Sequence, residues 1–187
     1  MRYPEAETAE KHQRIVEAAA ALFRARGLSG VSVSEVMKAA GLTHGAFYNH
    51  FASKDALIAE AIAETTKQFL DGLAAVSADR AGLEAYVTTY LSRAHLDAPG
   101  KGCVMAALAT EIAHDPAAKP SFTKHFNILL TAFLSRFPGK SAAATRKDSI
   151  QTVSTMVGAM VLARATDDPA LAEEILATVK HGLTTAN

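Results

Sequence analysis

The spacing of apolar side chains predicts a helix near the start of the chain. Apolar residues repeat there at i, i+3, i+4, i+7 and i+8, while Glu17 and Arg24 fall outside that stripe. Gly27 is placed to end the helix. The stripe consists of Ile15, Ala18, Ala19, Leu22 and Phe23.

Two short helices are predicted to follow. Ser32 begins a Ser-Val-Ser-Glu capping box with Glu35 at the third helical position, and Gly41 supplies the left-handed turn that ends this second helix. A third helix runs from Thr43, its predicted cap, to Phe51. A short helix, a glycine turn and another short helix form a helix-turn-helix, whose second helix is suited to enter the DNA major groove.

The rest of the chain is also predicted to be helical. Ser53 caps a long fourth helix. Five further segments are helical or apolar, and they cover 83–94, 103–113, 122–137, 141–165 and 169–183. Turn residues separate several of these segments, at Asp97 to Gly102, Asp115-Pro116 and Pro138-Gly139.

The composition agrees with an all-α fold. Alanine occupies 39 of 187 positions and tryptophan is absent, and alanine is the strongest helix former. We therefore expect a three-helix helix-turn-helix domain over residues 1–53. A second helical domain is expected over residues 54–187.

Charge and cysteine content limit the possible classes of protein. The 19 basic and 19 acidic residues balance, and residues 1 to 54 are only weakly basic, so charge alone does not indicate a DNA binder. A single cysteine, Cys103, excludes an intrachain disulfide and a cysteine-based zinc cluster. The apolar runs are too short to cross a bilayer and no secretory signal is visible. We expect a cytoplasmic location and no membrane partner.

The run from Gly41 to Lys54 resembles the signature of the TetR family of bacterial transcriptional regulators. The resemblance is dense from about Gln13 to Leu57 and weaker beyond, and the number and length of the predicted helices are similar to those of a nine-helix member. It implies that the third helix is a recognition helix, and that the remainder of the chain senses a small molecule and forms a homodimer.

The resemblance also implies which residues contact DNA. The start of the recognition helix would face base edges through Thr43, His44, Gly45 and Ala46. Phosphate contacts are implied for Tyr48, His50 and Lys54. Asn49 could contact either a base edge or a phosphate. Ser32 and Ser34, at the start of the second helix, could donate to a phosphate across the groove. Without the resemblance, His50 would be interpreted as a histidine of the core. For Ser32, the role of helix cap comes before that of DNA contact. Phe47 and Phe51 are expected in the core.

A homodimer predicts a palindromic operator, because two recognition helices related by a two-fold axis fall about one DNA turn apart. The last two helices are the expected dimer face, since they combine small residues with apolar area. The alternative is that they only close the core of one chain. The predicted face consists of Val153, Val157, Gly158, Met160, Val161, Leu171, Ile175, Val179 and Leu183.

An apolar effector pocket is expected among the middle helices. Its predicted lining consists of Phe69, Tyr86, Tyr90, Cys103, Met105, Phe122, Phe126 and Met156. Plain core packing is the alternative for each. Cys103 is either a thiol sensor or an inert, buried cysteine.

The sequence therefore predicts a ligand-responsive DNA-binding regulator, a repressor released from its operator by an effector, with the fourth helix as the lever between the two halves. An activator would differ from a repressor only in where its operator lies relative to the promoter. The alternatives are a redox-responsive regulator using Cys103 and an effector-independent DNA-binding protein. No catalytic motif, cofactor or metal site is predicted, so we do not expect an enzyme.

Overall fold

The computed structural model describes residues 5–137 and 142–185, and this part of the chain contains helices and no strand. The all-α fold class is thereby confirmed. The α-helices are α1 (Glu5–Arg26), α2 (Val33–Ala39), α3 (Lys54–Ala74), α4 (Arg80–Tyr90), α5 (Arg93–Asp97), α6 (Val104–Ile112), α7 (Lys119–Arg136), α8 (Ala142–Ala165) and α9 (Pro169–Thr185). Two 3₁₀ helices cover His44–Asn49 and Pro99–Lys101.

The predicted third helix differs from the expectation. It is a 3₁₀ helix, His44–Asn49, which we call the recognition segment, and it is shorter than the predicted span of 43–51. Thr43 occupies the N-cap position, but its side chain makes no capping hydrogen bond, so the expected side-chain cap is wrong. Backbone bonds close this tight turn instead, from Ala46 N–H to the Thr43 carbonyl and from His50 N–H to the Phe47 carbonyl.

The other predicted helix ends are present. The Ser32 hydroxyl accepts from Glu35 N–H and the Glu35 carboxylate accepts from Ser32 N–H, which completes the capping box. Ser53 caps α3 by accepting from Ala56 N–H. Gly27 and Gly41 adopt φ of +79° and +72°, a conformation that glycine tolerates without strain. These four devices fix the entry and exit of the helices around the recognition segment.

The apolar stripe over 83–94 is not one helix. The helix α4 ends at Tyr90 and α5 begins at Arg93, because Ser92 accepts from His95 N–H and so starts a new helix. The predicted break at Pro138-Gly139 lies outside the described residues. None of the helices in the described ranges is long and apolar enough to span a bilayer.

Two groups of buried side chains form the interior. The first joins α1, α2, the recognition segment, α3, α6 and α7, and it reaches Val153 on α8. The second lies between α4, α8 and α9. Since the first core contains residues from both sides of the expected boundary at 53/54, the helix-turn-helix and the remainder of the chain are held by the same apolar contacts.

A buried histidine joins α3 to α7. His125 is 3% exposed, and its Nδ1 lies 2.6 Å from the Thr66 hydroxyl oxygen. Because that hydroxyl donates to the Ile62 carbonyl, Nδ1–H donates to the hydroxyl oxygen. Burial lowers the pKa of His125 to about 4, so the ring is neutral at pH 7.

This lowered pKa makes folding stability depend on pH. Below a pH of about 6.5, His125 gains a proton in the unfolded chain but not in the folded one, so stability is complete above that pH and falls as pH approaches 4. We expect the free energy of unfolding in urea to fall by about 2 kcal/mol from pH 7 to pH 5 through this group. A His125→Asn variant should lose that part of the slope; equal slopes in the two proteins would contradict the assignment.

Candidate DNA-binding surface and ligand cavity

The recognition segment has one buried and one exposed side. Phe47 and Phe51 are buried and their rings stack at 5.5 Å, which anchors the segment in the first core. Tyr48, the next residue after Phe47, is 71% exposed and touches the Phe47 ring edge to face at 5.2 Å. The Tyr48 phenol is therefore held at the surface by its contact with the buried Phe47 ring.

The residues predicted to contact DNA lie at or near this surface. Seven are exposed, namely Ser32, Ser34, Thr43, His44, Gly45, Tyr48 and Asn49. The other three, Ala46, His50 and Lys54, are half-buried. The exposed set combines hydroxyls, an imidazole, an amide and open backbone at Gly45, where an added Cβ would meet nothing within 4 Å. Such groups can donate to phosphates and base edges.

Two of the predicted contact residues already bond within the chain. The Lys54 ammonium donates to the Leu28 carbonyl at 2.6 Å and lies 5.8 Å above the Phe23 ring. The Ser32 hydroxyl donates to Glu35 Oε2 at 2.8 Å. Both side chains therefore stabilise the local structure, and Lys54 also places positive charge close to the recognition segment.

Glu35 is the acidic group nearest the predicted Ser32 contact. Hydrogen bonds from the Ser32 backbone and hydroxyl, then one from Arg26, lower its pKa to about 2, so the capping box keeps its charged acceptor at any physiological pH. Arg26 Nη2 lies 2.7 Å from Glu35 Oε1. This ion pair offsets a negative charge that would otherwise face a phosphate.

His50 lies at the edge of the surface beside α1. Its ring centroid is 5.8 Å from that of His12, and the His12 ring stacks on Phe51. Partial burial, then the nearby His12 and Lys11, lower the pKa of His50. The imidazole is therefore neutral at pH 7 and is suited to hydrogen bonding.

A cavity of about 450 Å³ lies among α1, α3, α4 and α6 to α8. Six of the eight predicted lining residues border it, namely Phe69, Tyr86, Tyr90, Cys103, Met105 and Met156. Phe122 and Phe126 do not line it. They are half-buried on α7 and pack against the first core instead.

Polar groups of the cavity gather at the start of α6. Cys103 is half-buried there, and its backbone N–H donates to His95 Nε2 at 3.0 Å. His95 Nδ1 lies 2.7 Å from the Tyr90 carbonyl, so this ring bonds on both sides and ties α4 to α6. Burial raises the pKa of Tyr86 and of Tyr90, which keeps both phenols protonated.

Comparison with known proteins identifies the family. Residues 15–61 match the model of the bacterial regulatory proteins of the tetR family. Over 87 residues, 42% of this chain, it is 36% identical to the HTH-type transcriptional repressor KstR2 of Rhodococcus jostii. Over 54 residues, 29% of this chain, it is 44% identical to the HTH-type transcriptional regulator AcrR of Shigella flexneri. Residues 15–61 therefore carry the domain by which regulators of the TetR family are recognised.

These sequence matches cover 41% of KstR2 and 25% of AcrR, so they relate this chain to only part of each relative. The fold is similar over nearly the whole length. The structural alignment with a TetR transcriptional regulator from Legionella pneumophila covers 98% of this chain and 97% of that protein. Its TM-score is 0.75, at 20% sequence identity. The TetR family fold therefore extends through α9.

The residues of the predicted dimer face divide into two sets. Val153 and Met160 are buried, with 3% and 0% exposed, because they face the chain's own cores. These two residues therefore add no exposed area to the predicted face, which stays a prediction. The others keep some accessible surface, with Leu171 exposed and the rest half-buried, namely Val157, Gly158, Val161, Ile175, Val179 and Leu183. Two apolar residues that were not predicted, Ile150 and Leu162, are exposed on α8.

Sequence reasoning missed two residues that join the two halves of the chain. Arg24, expected outside the apolar stripe, is 8% exposed and lines the cavity. A signal was present, since Val16 and Ala20 precede it at four-residue spacing on a second buried row of α1. Glu111 at the end of α6 accepts from Ser29 N–H at 3.0 Å, a contact that no local pattern indicates.

Proposed function

We propose that this protein is a transcriptional repressor that binds a palindromic operator as a homodimer and is released by a small molecule in the cavity. The observation that carries the proposal is the recognition segment, which presents exposed polar groups over a buried aromatic anchor within the TetR-family match. The ten residues given above form the proposed DNA contacts. Ser32 and Lys54 add to their local bonds a role at the phosphates.

The dimer is proposed to form through the exposed sides of α8 and α9. Leu162 is 61% exposed and Leu171 is 44% exposed, and both are large and apolar. Exposed apolar area of this kind favours a second copy of the chain, since covering it in a four-helix contact removes it from water. A two-fold axis there would present two recognition segments to one face of the DNA.

Contacts between the halves support a ligand response. The helix α6 begins beside the cavity at Cys103, and its other end holds Ser29 through Glu111. The turn before α6 is held by Arg24, which donates to the Gly102 carbonyl. A ligand that shifts α6 would therefore move the turn that leads into α2. The helix α3, which packs on both α1 and α7, is the expected lever alongside it.

A redox response of Cys103 is the second candidate. The thiol lies on the cavity wall at the N-terminus of α6, and it interacts electrostatically with Arg24 and Arg164. An effector-independent DNA binder is less well supported, because it has no use for a cavity of this size.

The test is titration of the full chain with DNA from upstream of its own gene. We expect competitor-resistant binding that weakens steeply with salt, with two chains on each operator. A Leu162→Glu variant should stay folded, become monomeric and lose most of its operator affinity. Binding that ignores DNA sequence, or one chain for each site, would contradict the proposal.

A further inference from the structure

The charged side chains that line the cavity are of one sign. Arg24 and Lys101 belong to the wall, whereas no aspartate or glutamate does within the described ranges. The remaining wall is largely apolar, with Phe69, Met105 and Leu129 among its residues. Because charges interact strongly in a water-poor, low-dielectric space, a wall of this kind favours an anion.

The guanidinium of Arg24 is buried without a counter-charge. Its Nε donates to the Ala20 carbonyl at 3.0 Å, and its Nη1 donates to Gln68 Oε1 at 3.1 Å and to the Gly102 carbonyl at 3.3 Å. All three acceptors are neutral. Across residues 5–137 and 142–185, no carboxylate lies within ion-pair distance of Arg24, and Glu64 acts on it only from farther away.

Burying an unpaired charge is costly, so an anion placed beside Arg24 would recover interaction free energy. Desolvation lowers the pKa of Arg24, but a guanidinium keeps its proton in a protein. The side chain therefore presents a fixed positive charge to the cavity.

A second donor lies at the same corner of the cavity. The Tyr90 hydroxyl is buried and has no nitrogen or oxygen partner in the described part of the chain, and Tyr90 as a whole is 9% exposed. Its polar neighbour is the Cys103 thiol, a weak hydrogen-bonding group. Tyr90 and Arg24 both adjoin the Gly102-Cys103 turn. Arg24 Nη1 donates to the Gly102 carbonyl, and the Tyr90 ring packs at 4.6 Å on that of His95, whose Nε2 accepts from Cys103 N–H. An unsatisfied buried hydroxyl favours a ligand that brings an acceptor.

We infer that the cavity takes an organic monoanion, with an apolar body and one carboxylate that accepts from Arg24 and from the Tyr90 hydroxyl. This inference deepens the proposed function, because it names the chemical class of the effector. The volume of about 450 Å³ suits a single small molecule, and the apolar wall suits its aliphatic or aromatic body. Since Arg24 belongs to α1, the carboxylate would lie where the cavity meets the DNA-binding half.

The test compares carboxylates with neutral amides of the same shape. The full chain, without DNA, is titrated calorimetrically with octanoate, decanoate and 1-naphthoate, and with the corresponding primary amides. We expect at least one carboxylate to bind about tenfold or more tightly than its amide. Arg24→Met should abolish that preference, Tyr90→Phe should reduce it, and Arg24→Lys, which keeps the charge, should retain part of it.

Three results would overturn the inference: equal affinities within every pair, a carboxylate preference that survives in a folded Arg24→Met protein, or no carboxylate binding below about 1 mM. If Arg24→Met does not fold, the Tyr90→Phe comparison decides, and an unchanged preference there counts against the proposed contact. Operator affinity is measured separately. A carboxylate that binds but leaves operator affinity unchanged would contradict the ligand response and leave the ligand class intact.

Discussion

Replacing Phe47 by alanine is expected to lower the free energy of unfolding by about 3–5 kcal/mol, as removal of a fully buried phenylalanine does when a cavity remains. The Phe47 ring is 1% exposed and stacks on Phe51, and it belongs to the core shared by α1, α2 and α3. Chemical denaturation followed by circular dichroism measures the loss.

The matched control is Phe47→Leu, which keeps most of the apolar volume and should cost clearly less than the alanine variant. Operator binding should fail in Phe47→Ala even at temperatures where the protein remains folded, because the recognition segment loses its anchor. A loss of stability below about 1 kcal/mol would show that the segment is held mainly by its backbone bonds.

Replacing the neighbouring Tyr48 by alanine is expected to weaken operator binding with little effect on the free energy of unfolding. The side chain is 71% exposed and packs only along the edge of Phe47, so the free energy of unfolding should change by about 0.5 kcal/mol or less. Operator affinity should fall by about tenfold to a hundredfold, because the proposed phosphate contact of this residue would be lost. Fluorescence anisotropy with labelled operator DNA measures this change.

Tyr48→Phe separates the two parts of the side chain. If the hydroxyl donates to a phosphate, the phenylalanine variant should lose most of the affinity that the alanine variant loses. A Tyr48→Ala protein that binds its operator as tightly as the parent would remove Tyr48 from the proposed DNA contacts.

Local signals predicted much of the helix-turn-helix. The Ser32 capping box, the Ser53 cap and the glycine turns depend on neighbouring residues, so they are visible in the sequence and present in the structure. The recognition segment shows where such signals fail. Burial of Phe47 and Phe51 determines its position, and a short 3₁₀ helix meets that requirement without the predicted Thr43 cap.

The cavity and the dimer face were harder to predict because both depend on contacts distant in sequence. Apolar spacing found the aromatic and methionine side chains of the cavity, but it could not separate Tyr86, which lines it, from Phe126, which does not. It also could not show that Met160 faces the chain's own core rather than a second copy. Arg24 was overlooked because a charged side chain was assumed to face water.

The core that continues from α1 through α6 to Val153 bears on how such proteins diversify. If the two halves were independent modules, evolution or an engineer could join the DNA-binding half of one regulator to the sensing half of another at residue 53. In this chain the two halves are joined by apolar contacts, by the hydrogen bond from Arg24 to the Gly102 carbonyl and by that from Ser29 N–H to Glu111. A functional chimera would have to take the residues on both sides of these contacts from the same parent.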